Sequence, residues 1–412
     1  MYREKRGHDL LPKDMMRFRH VERIFREEAI RWGYGEIRTP TIEPISLFTA
    51  AGTLDPRMLD NLYSFLDWDG WSGERVVLRP DGTIPSSRLF IERLADVRGP
   101  ARLFYIANIF SYGDDGTTEK WQCGVELIEG FDGNPAASDT EVVALSLSVL
   151  KKLGFSSPLL RIGYPSLIRE FLDASGLSGD DREEVMGLIH EGDREEISRI
   201  AARRGIEKLI GLLDLKSPSA DFLKNVSTFL PKAAGIEEAL SSFSDSVSAI
   251  RAAQIPFEIT FALPLNFEYY TGLVMEAYPG PDRTGRGDIL MSGGRYDNLV
   301  TILSGRTSSA RAVGCVLRVE HIVTCDEFIG SLADRAVLVV PGDDIASSRA
   351  VISQLRDRGL AAEIAGTGQD PKDYRWVVTE QGEDLLITDS RAGTVERIPR
   401  EKITDVADLI CR

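Results

Sequence analysis

Gln122 and Glu126 stand four residues apart in Gln122-Cys-Gly-Val-Glu126, and on an extended strand that spacing points both side chains to one face. An amide and a carboxylate converging there can meet the donors of a ligand, or can satisfy backbone and arginine groups inside the protein. Tyr269 and Tyr270, in Glu268-Tyr-Tyr-Thr271, suit a core as well as a pocket. In Gly293-Gly-Arg-Tyr-Asp297 the two glycines suit a turn, while Arg295 beside them suits an anionic ligand or a structural ion pair. Metal and thiol chemistry find less support. Cys123, Cys315, Cys325 and Cys411 form no CxxC pair, and His8, His20, His190 and His321 have no metal-ligand spacing to one another. That pattern argues against a zinc site or a disulfide framework and fits a reducing cytosol. No metal and no cofactor are expected.

Composition narrows the partners. The 412 residues, 43% apolar and 27% charged, are those of a soluble globular chain long enough for two or three domains. A formal net charge of −15 opposes a polyanion, because nucleic-acid affinity comes mostly from Lys and Arg neutralising phosphates. MYREKRGHDLLPKDM lacks the apolar core of a signal peptide, and no run of about 18 apolar residues occurs, so a cytoplasmic protein with no membrane contact is expected.

The elements that must position these residues follow from periodicity. Phe18, Val21, Phe25, Ala29 and Trp32 recur every three or four positions, which predicts a helix over Pro12–Trp32 stopped by Gly33. Glu36–Glu43 alternates like a strand, and Pro40 within it marks an edge or a subunit boundary. Further strands are expected at Glu74–Arg79, Ala101–Phe110 and Gln122–Gly130, the last two joined as a hairpin through Gly113-Asp-Asp-Gly116. A helix from Ser138 to Leu153 is expected with Ser138 or Asp139 as N-cap. Residues 166–253, rich in Glu, Arg, Leu and Ala, read as an inserted helical subdomain. Strand signals return at Phe257–Ala262, Gly272–Tyr278, Asp288–Ser292 and Arg311–Val316, before a helix from Val319. From about Asp334 the alternation of strand and helix indicates a separate α/β domain, with strands at Ala336–Val340, Ala361–Ala365, Tyr374–Thr379 and Asp384–Thr388. The domain boundaries expected are therefore 1–330 and 334–412.

Taken together, the segments from residue 9 to residue 325 resemble the class II aminoacyl-tRNA synthetases, and specifically histidyl-tRNA synthetase. Leu11-Pro-Lys-Asp14, the first helix and Gly35-Glu-Ile-Arg-Thr-Pro40 look like the dimer-forming first motif, and Ala101–Gly130 looks like the second-motif hairpin. Leu78-Arg-Pro-Asp-Gly-Thr83 looks like the turn whose acid receives the substrate ammonium. Glu268-Tyr-Tyr-Thr271 and Gly293-Gly-Arg-Tyr-Asp297 look like the two histidine-specific signatures. The resemblance implies an α+β fold, an antiparallel sheet flanked by helices, with a helical insertion and a small C-terminal α/β domain weakly similar to an anticodon-binding domain. It also implies a histidine-like pocket of Asp81, Thr83, Gln122, Glu126, Tyr269 and Tyr270, and a self-dimer through the region around Pro40.

Departures from that family set the expected function. Aligned on its motifs, three arginine positions read Ser111, Leu265 and His321. Adenylate formation concentrates negative charge on a carboxylate and a triphosphate, and fixed guanidinium groups are what make that tolerable. Arg318 stands where the family carries glycine beneath the nucleotide. The second-motif loop, Gly113–Lys120, is acidic where the family is basic, so no tRNA is expected. A synthetase-like body without synthetase chemistry resembles the paralogues that act as regulatory subunits of ATP phosphoribosyltransferase. That resemblance implies a non-catalytic partner of the short-form catalytic subunit, which raises its activity and helps mediate histidine inhibition at the first step of histidine biosynthesis. The alternatives are an active histidyl-tRNA synthetase or other amino-acid adenylating enzyme, and a free-standing pseudo-synthetase that binds RNA or another protein.

Overall fold

The computed structural model describes residues 9–50, 61–68, 73–96, 99–112, 118–129, 134–263, 270–285, 288–305, 310–328, 336–342 and 345–410. The chain divides into two compact units, Met1–Gly330 and Ser331–Arg412. The first described helix, α1 (Pro12–Arg31), carries proline in its first turn, and Asp14 accepts from the Leu11 N–H at 3.1 Å. Its predicted apolar stripe is buried at Phe18, Val21, Phe25 and Ala29, and Gly33 at φ +83° turns the chain away.

Strands of the larger unit run, in chain order, β1 (Gly35–Glu36), β2 (Ile42–Pro44), β3 (Ser64–Trp68), β4 (Gly73–Leu78), β5 (Ala101–Phe110) and β6 (Glu119–Glu129). They continue as β7 (Leu159–Gly163), β8 (Lys216–Ser217), β9 (Glu258–Thr260), β10 (Val274–Tyr278), β11 (Met291–Arg295) and β12 (Arg311–Arg318). Nine of them form one sheet in the order β1-β5-β6-β12-β11-β10-β7-β9-β8, while β2, β4 and β3 form a second, smaller sheet. The large sheet is antiparallel except where β1 meets β5 and β7 meets β9. The strand expected over Glu36–Glu43 is split into β1 and β2. Proline cannot donate to a ladder, and the carbonyls of Thr39 and Pro40 are taken by the buried Arg79 guanidinium at 2.8 and 3.2 Å.

After α1, the helices are α2 (Ser46–Thr49), α3 (Thr83–Leu89) and α4 (Pro135–Lys152), then α5 (Pro165–Ala174), α6 (Asp180–Glu191), α7 (Arg194–Arg204), α8 (Lys208–Asp214), α9 (Phe222–Phe229) and α10 (Ala234–Ala252). Helices α5 to α10 are the expected insertion, and the two-residue β8 is the strand among them. Two short helices follow, α11 (Asp297–Ser304) and α12 (Val319–Thr324). Helix α4 begins three residues before the expected Ser138 start, because Pro135 presets the first turn and the Asn134 side chain accepts from the Ala137 N–H. That leaves Asp139 free of a capping role.

The main core lies on one face of the nine-stranded sheet, where Phe104, Val125 and Leu127 pack with Phe25 of α1, Val142 and Leu150 of α4 and Phe243 of α10. Strand alternation turns Gln122, Gly124, Glu126 and Ile128 to the opposite face. There a smaller cluster joins Ile128 to Phe48, Ile84, Tyr296 and Leu299. No helix among the described residues is long and apolar enough to cross a membrane.

The second unit has a five-stranded sheet in the order β14-β13-β15-β16-β17, built from β13 (Ala336–Val340), β14 (Ala361–Ile364), β15 (Trp376–Gln381), β16 (Asp384–Asp389) and β17 (Thr394–Pro399). Helices α13 (Ile345–Asp357) and α14 (Ile403–Ile410) accompany it, and residues from both pack on its strands. Strand β17 is not foreshadowed in the sequence. It is an edge strand exposed along most of its length, so its side chains carry little apolar alternation.

Candidate ligand pocket

Register builds the site. Glu126 on β6 lies opposite Leu103 of β5 and Gly314 of β12, Gly314 lies opposite Gly294 of β11, and Gly294 lies opposite Val274 of β10. The glycines make room for side chains from elsewhere. A Cβ at Gly314 would stand 1.9 Å from Glu126 Oε2, and one at Gly294 would stand 2.8 Å from the Tyr270 ring. Tyr105 of β5 is wedged between two more, since a Cβ at either Gly82 or Gly124 would fall 2.2 Å from its Cζ. Gly293 and Gly294 belong to strand β11 and do not form the turn their type suits. Backbone packing explains them, because a Cβ at Gly293 would lie 2.3 Å from the Gly314 carbonyl oxygen.

Glu126 is 0% exposed. Thr83 Oγ1 donates to its Oε1 at 2.7 Å and the Tyr296 hydroxyl donates to its Oε2 at 2.5 Å. Burial pushes its carboxyl up to about 8, against the pull of those two donors and with the help of the nearby Asp81 charge. Asp81, 2% exposed, accepts from the Ile84 N–H at 2.9 Å at the start of α3, and burial raises its carboxyl as well. The buried Tyr105 phenol is raised by burial and by Glu126 and Asp81, and its hydroxyl reaches to 3.5 Å from Gln122 Oε1. Gln122 is half-buried and lies opposite Arg318 on β12. Tyr270 is half-buried, its ring against Gly294 and its carbonyl held by Arg169 at 2.8 Å. Asp81, Thr83, Gln122, Glu126 and Tyr270 therefore converge on one side of the sheet, while Tyr269 lies outside the described residues.

Arg295 takes the structural of its two roles. Its guanidinium is buried and bonded to Asp139 at 2.6 and 3.0 Å, to Asp297 at 3.1 Å and to the Pro135 carbonyl at 2.8 Å. Ser246 of α10 donates to the other Asp139 oxygen at 2.6 Å. With its donors committed to these acids, Arg295 is a tie between β11, α4 and the insertion.

Of the three positions expected to stand in place of arginine, two lie among the described residues. Ser111 is half-buried just after β5, its N–H donating to the Thr118 carbonyl at 3.1 Å. His321 sits on α12 with Nδ1 at 2.9 Å from the Ile289 carbonyl. Leu265 and the acidic run 113–116 lie outside the described residues. No group of His, Cys, Asp or Glu among the described residues could hold a metal ion.

Sequence reasoning missed Tyr105, Tyr296 and Asp139. Tyr296 lies inside Gly293-Gly-Arg-Tyr-Asp297, so its proximity to Arg295 is a usable signal. Tyr105 had none, because the glycines that admit it sit in two separate runs.

The sequence that builds this sheet and its flanking helices matches a known family. Residues 7–322 match the family model described as histidyl-tRNA synthetase, and the chain belongs to that family. Solved relatives share the fold: histidyl-tRNA synthetase from Nostoc sp. PCC 7120 superposes with a TM-score of 0.79 at 18% identity, covering 100% of this chain and 99% of that one. A protein from Bacillus halodurans titled an ATP phosphoribosyltransferase regulatory subunit/histidyl-tRNA synthetase gives 0.74 at 23% identity, covering 92% and 98%. Among sequences, the histidine–tRNA ligase of Pyrococcus abyssi is 30% identical over 385 residues, 89% of this chain and 86% of the relative. The ATP phosphoribosyltransferase regulatory subunit of Dehalococcoides mccartyi strain 195 is 37% identical over 382 residues, 91% of this chain and 90% of the relative. Within the family the chain belongs with these regulatory subunits.

Proposed function

We propose that this chain is a non-catalytic regulatory subunit that joins the short-form catalytic subunit of ATP phosphoribosyltransferase, raises its activity and passes on inhibition by histidine. The observation that carries the reading is the retention of the amino-acid half of the pocket beside the loss of its cations at Ser111, Leu265 and His321. Removing one preorganised charge-stabilising donor raises a barrier by about 3–4 kcal/mol, and three losses leave no useful turnover even when far from additive. The His321 ring is engaged with a backbone carbonyl, and Arg318 on the pocket side of β12 fills space that a nucleotide base would need. Asp81, Thr83, Gln122, Glu126, Tyr269 and Tyr270 form the histidine pocket in this reading, with the acids receiving the ammonium and imidazole donors. The higher identity to the Dehalococcoides regulatory subunit than to the Pyrococcus ligase supports the same assignment.

The protein acts in the cytosol as a self-dimer through the region around Pro40, and its net acidity speaks against tRNA as a partner. Histidine influences the catalytic partner only through its differential affinity for the two states of the assembly. The test mixes this chain with a short-form phosphoribosyltransferase and measures phosphoribosyl-ATP formation. Activation that histidine reverses is the expected result; indifference to the added chain defeats the reading. Histidine-dependent ATP–pyrophosphate exchange by the purified chain alone would restore the synthetase alternative.

A further inference from the structure

Arg318 lies opposite Gln122 across the β6–β12 ladder, and the pairing of Gly314 with Glu126 further along the same ladder puts both side chains on the pocket face. The two ends of that stretch differ. Around Glu126 the face is closed, with Gly124, Gly294 and Gly314 buried beside it, whereas at the other end Ala107, Gln122, Ser292, Val316 and Arg318 are only half-buried. Of the side chains that β5, β6, β11 and β12 turn to this face, Lys120 and Arg318 are the cationic ones, and Arg318 is the one level with Gln122.

Asp81 and Gln122 meet at Tyr105, whose phenol feels the Asp81 charge and whose hydroxyl reaches to 3.5 Å from Gln122 Oε1. That contact leaves the two hydrogens on Gln122 Nε2, and no described residue accepts them. An amide donor thus stands beside a guanidinium at the open end of the face. Directly opposed side chains of antiparallel strands have Cβ atoms about 4.5–5.5 Å apart, so the pair can close on the two oxygens of one carboxylate. Whatever neighbours Arg318 engages, its planar fork of five N–H donors can serve them and a carboxylate together.

An α-amino acid carries its carboxylate on the same carbon as its ammonium. With the ammonium received by Asp81, the carboxylate must meet a cation close by or be desolvated unpaired, which is costly. The three positions at which the resemblance places arginine read Ser111, Leu265 and His321, and the His321 ring is turned to the Ile289 carbonyl. The geometry points to Arg318, with the Gln122 amide, as the clamp for the α-carboxylate of the amino-acid ligand. The inference rests on the amino-acid-pocket reading above and adds a specificity to it. Asp81 matches the ammonium and Arg318 the carboxylate, so the two charges of a free amino acid are each neutralised. A carboxyl that is reduced, amidated or carried as an adenylate no longer offers two charged oxygens to the fork.

The clamp is read by titrating the full chain in a calorimeter at pH 7 with L-histidine and with L-histidinol, in which a CH2OH group replaces the carboxylate. Histidine should bind about ten- to a hundredfold more tightly than histidinol, the worth of charge-assisted hydrogen bonds to one carboxylate. Arg318→Met, which keeps the stem and removes the charge, should lose that margin for histidine and hold histidinol within about twofold, and Arg318→Lys should recover part of it. Equal affinity of the unaltered chain for the two ligands, a histidine affinity unchanged in Arg318→Met, or an equal loss for both ligands overturns the clamp and leaves the pocket reading standing. If the methionine variant does not fold, Arg318→Gln carries the same comparison with the same outcomes. A chain that binds neither ligand overturns the pocket reading, and the clamp with it.

Discussion

Gly314 faces Glu126 across the β6–β12 ladder so closely that a single added carbon would stand 1.9 Å from the carboxylate. The same carbon would lie 2.8 Å from the Val125 carbonyl oxygen, so the strand has no direction in which to yield. Gly314→Ala should therefore destabilise the chain by about 1–3 kcal/mol and weaken histidine binding at the same time. Gly280→Ala is the control, because a Cβ there meets nothing within 4 Å. Urea unfolding of both variants tests the contrast, and equal stability would show that Glu126 can vacate its place freely.

Tyr105 is the wedge on which the neighbouring strands close. Tyr105→Phe keeps the ring between Gly82 and Gly124 and should cost about 1 kcal/mol, the worth of one hydroxyl hydrogen bond. Tyr105→Ala empties the slot and should cost about 3–5 kcal/mol. Denaturant midpoints check the ordering, and an alanine variant as stable as the phenylalanine one would refute the wedge.

Glu28 supplies a pH dependence whose sign is fixed. Burial pushes its carboxyl up, but bonds from Lys152, from Ser148 at 2.6 Å, and from Trp32 and Arg31 at 3.2 Å outweigh it and hold the group at about 2. A depressed folded value means the stabilisation is complete above the ordinary value of 4.5 and is lost as pH falls through about 2. Glu28→Gln should be less stable than the parent by about 1–3 kcal/mol at neutral pH, with the gap closing toward pH 2. Thermal melts across that range would refute the argument if the two curves stayed parallel.

Arg295 and Asp139 test whether a buried pair is structural. Asp139→Ala leaves a guanidinium enclosed with one acid fewer and should cost about 3–5 kcal/mol. Replacing both partners, Asp139→Leu with Arg295→Met, should recover part of that loss because no charge is then stranded. A double variant no better than the single would show that the arginine serves something other than its carboxylate partners.

Much of the fold was legible because it is local. The stripe of α1, the paired strands β5 and β6 and the all-helical insertion each follow from periodicity within one segment. The site was legible in its strand residues, since a spacing of four fixes a face. What escaped depended on distance. Asp139 looked like a helix cap until Asn134 took that role, and its real partner lies 156 residues further along the chain. Gly293 and Gly294 carried the composition of a turn, yet their lack of side chains is used for contact with strands β12 and β10. Pro40 suggests an edge or a subunit boundary within one strand, whereas it falls between β1 and β2, and the use of its carbonyl by Arg79 required the third dimension.

The hydrogen bond from Ser246 to Asp139 links the inserted helices to the strand end that carries Arg295 and Tyr296. Asp139 grips Arg295, and the next residue in the chain, Tyr296, grips Glu126. Helix α10 and Glu126 thus hang on one chain of bonds: a rotation of Ala234–Ala252 that withdrew Ser246 would loosen the arginine one residue away from the tyrosine that holds the Glu126 carboxylate.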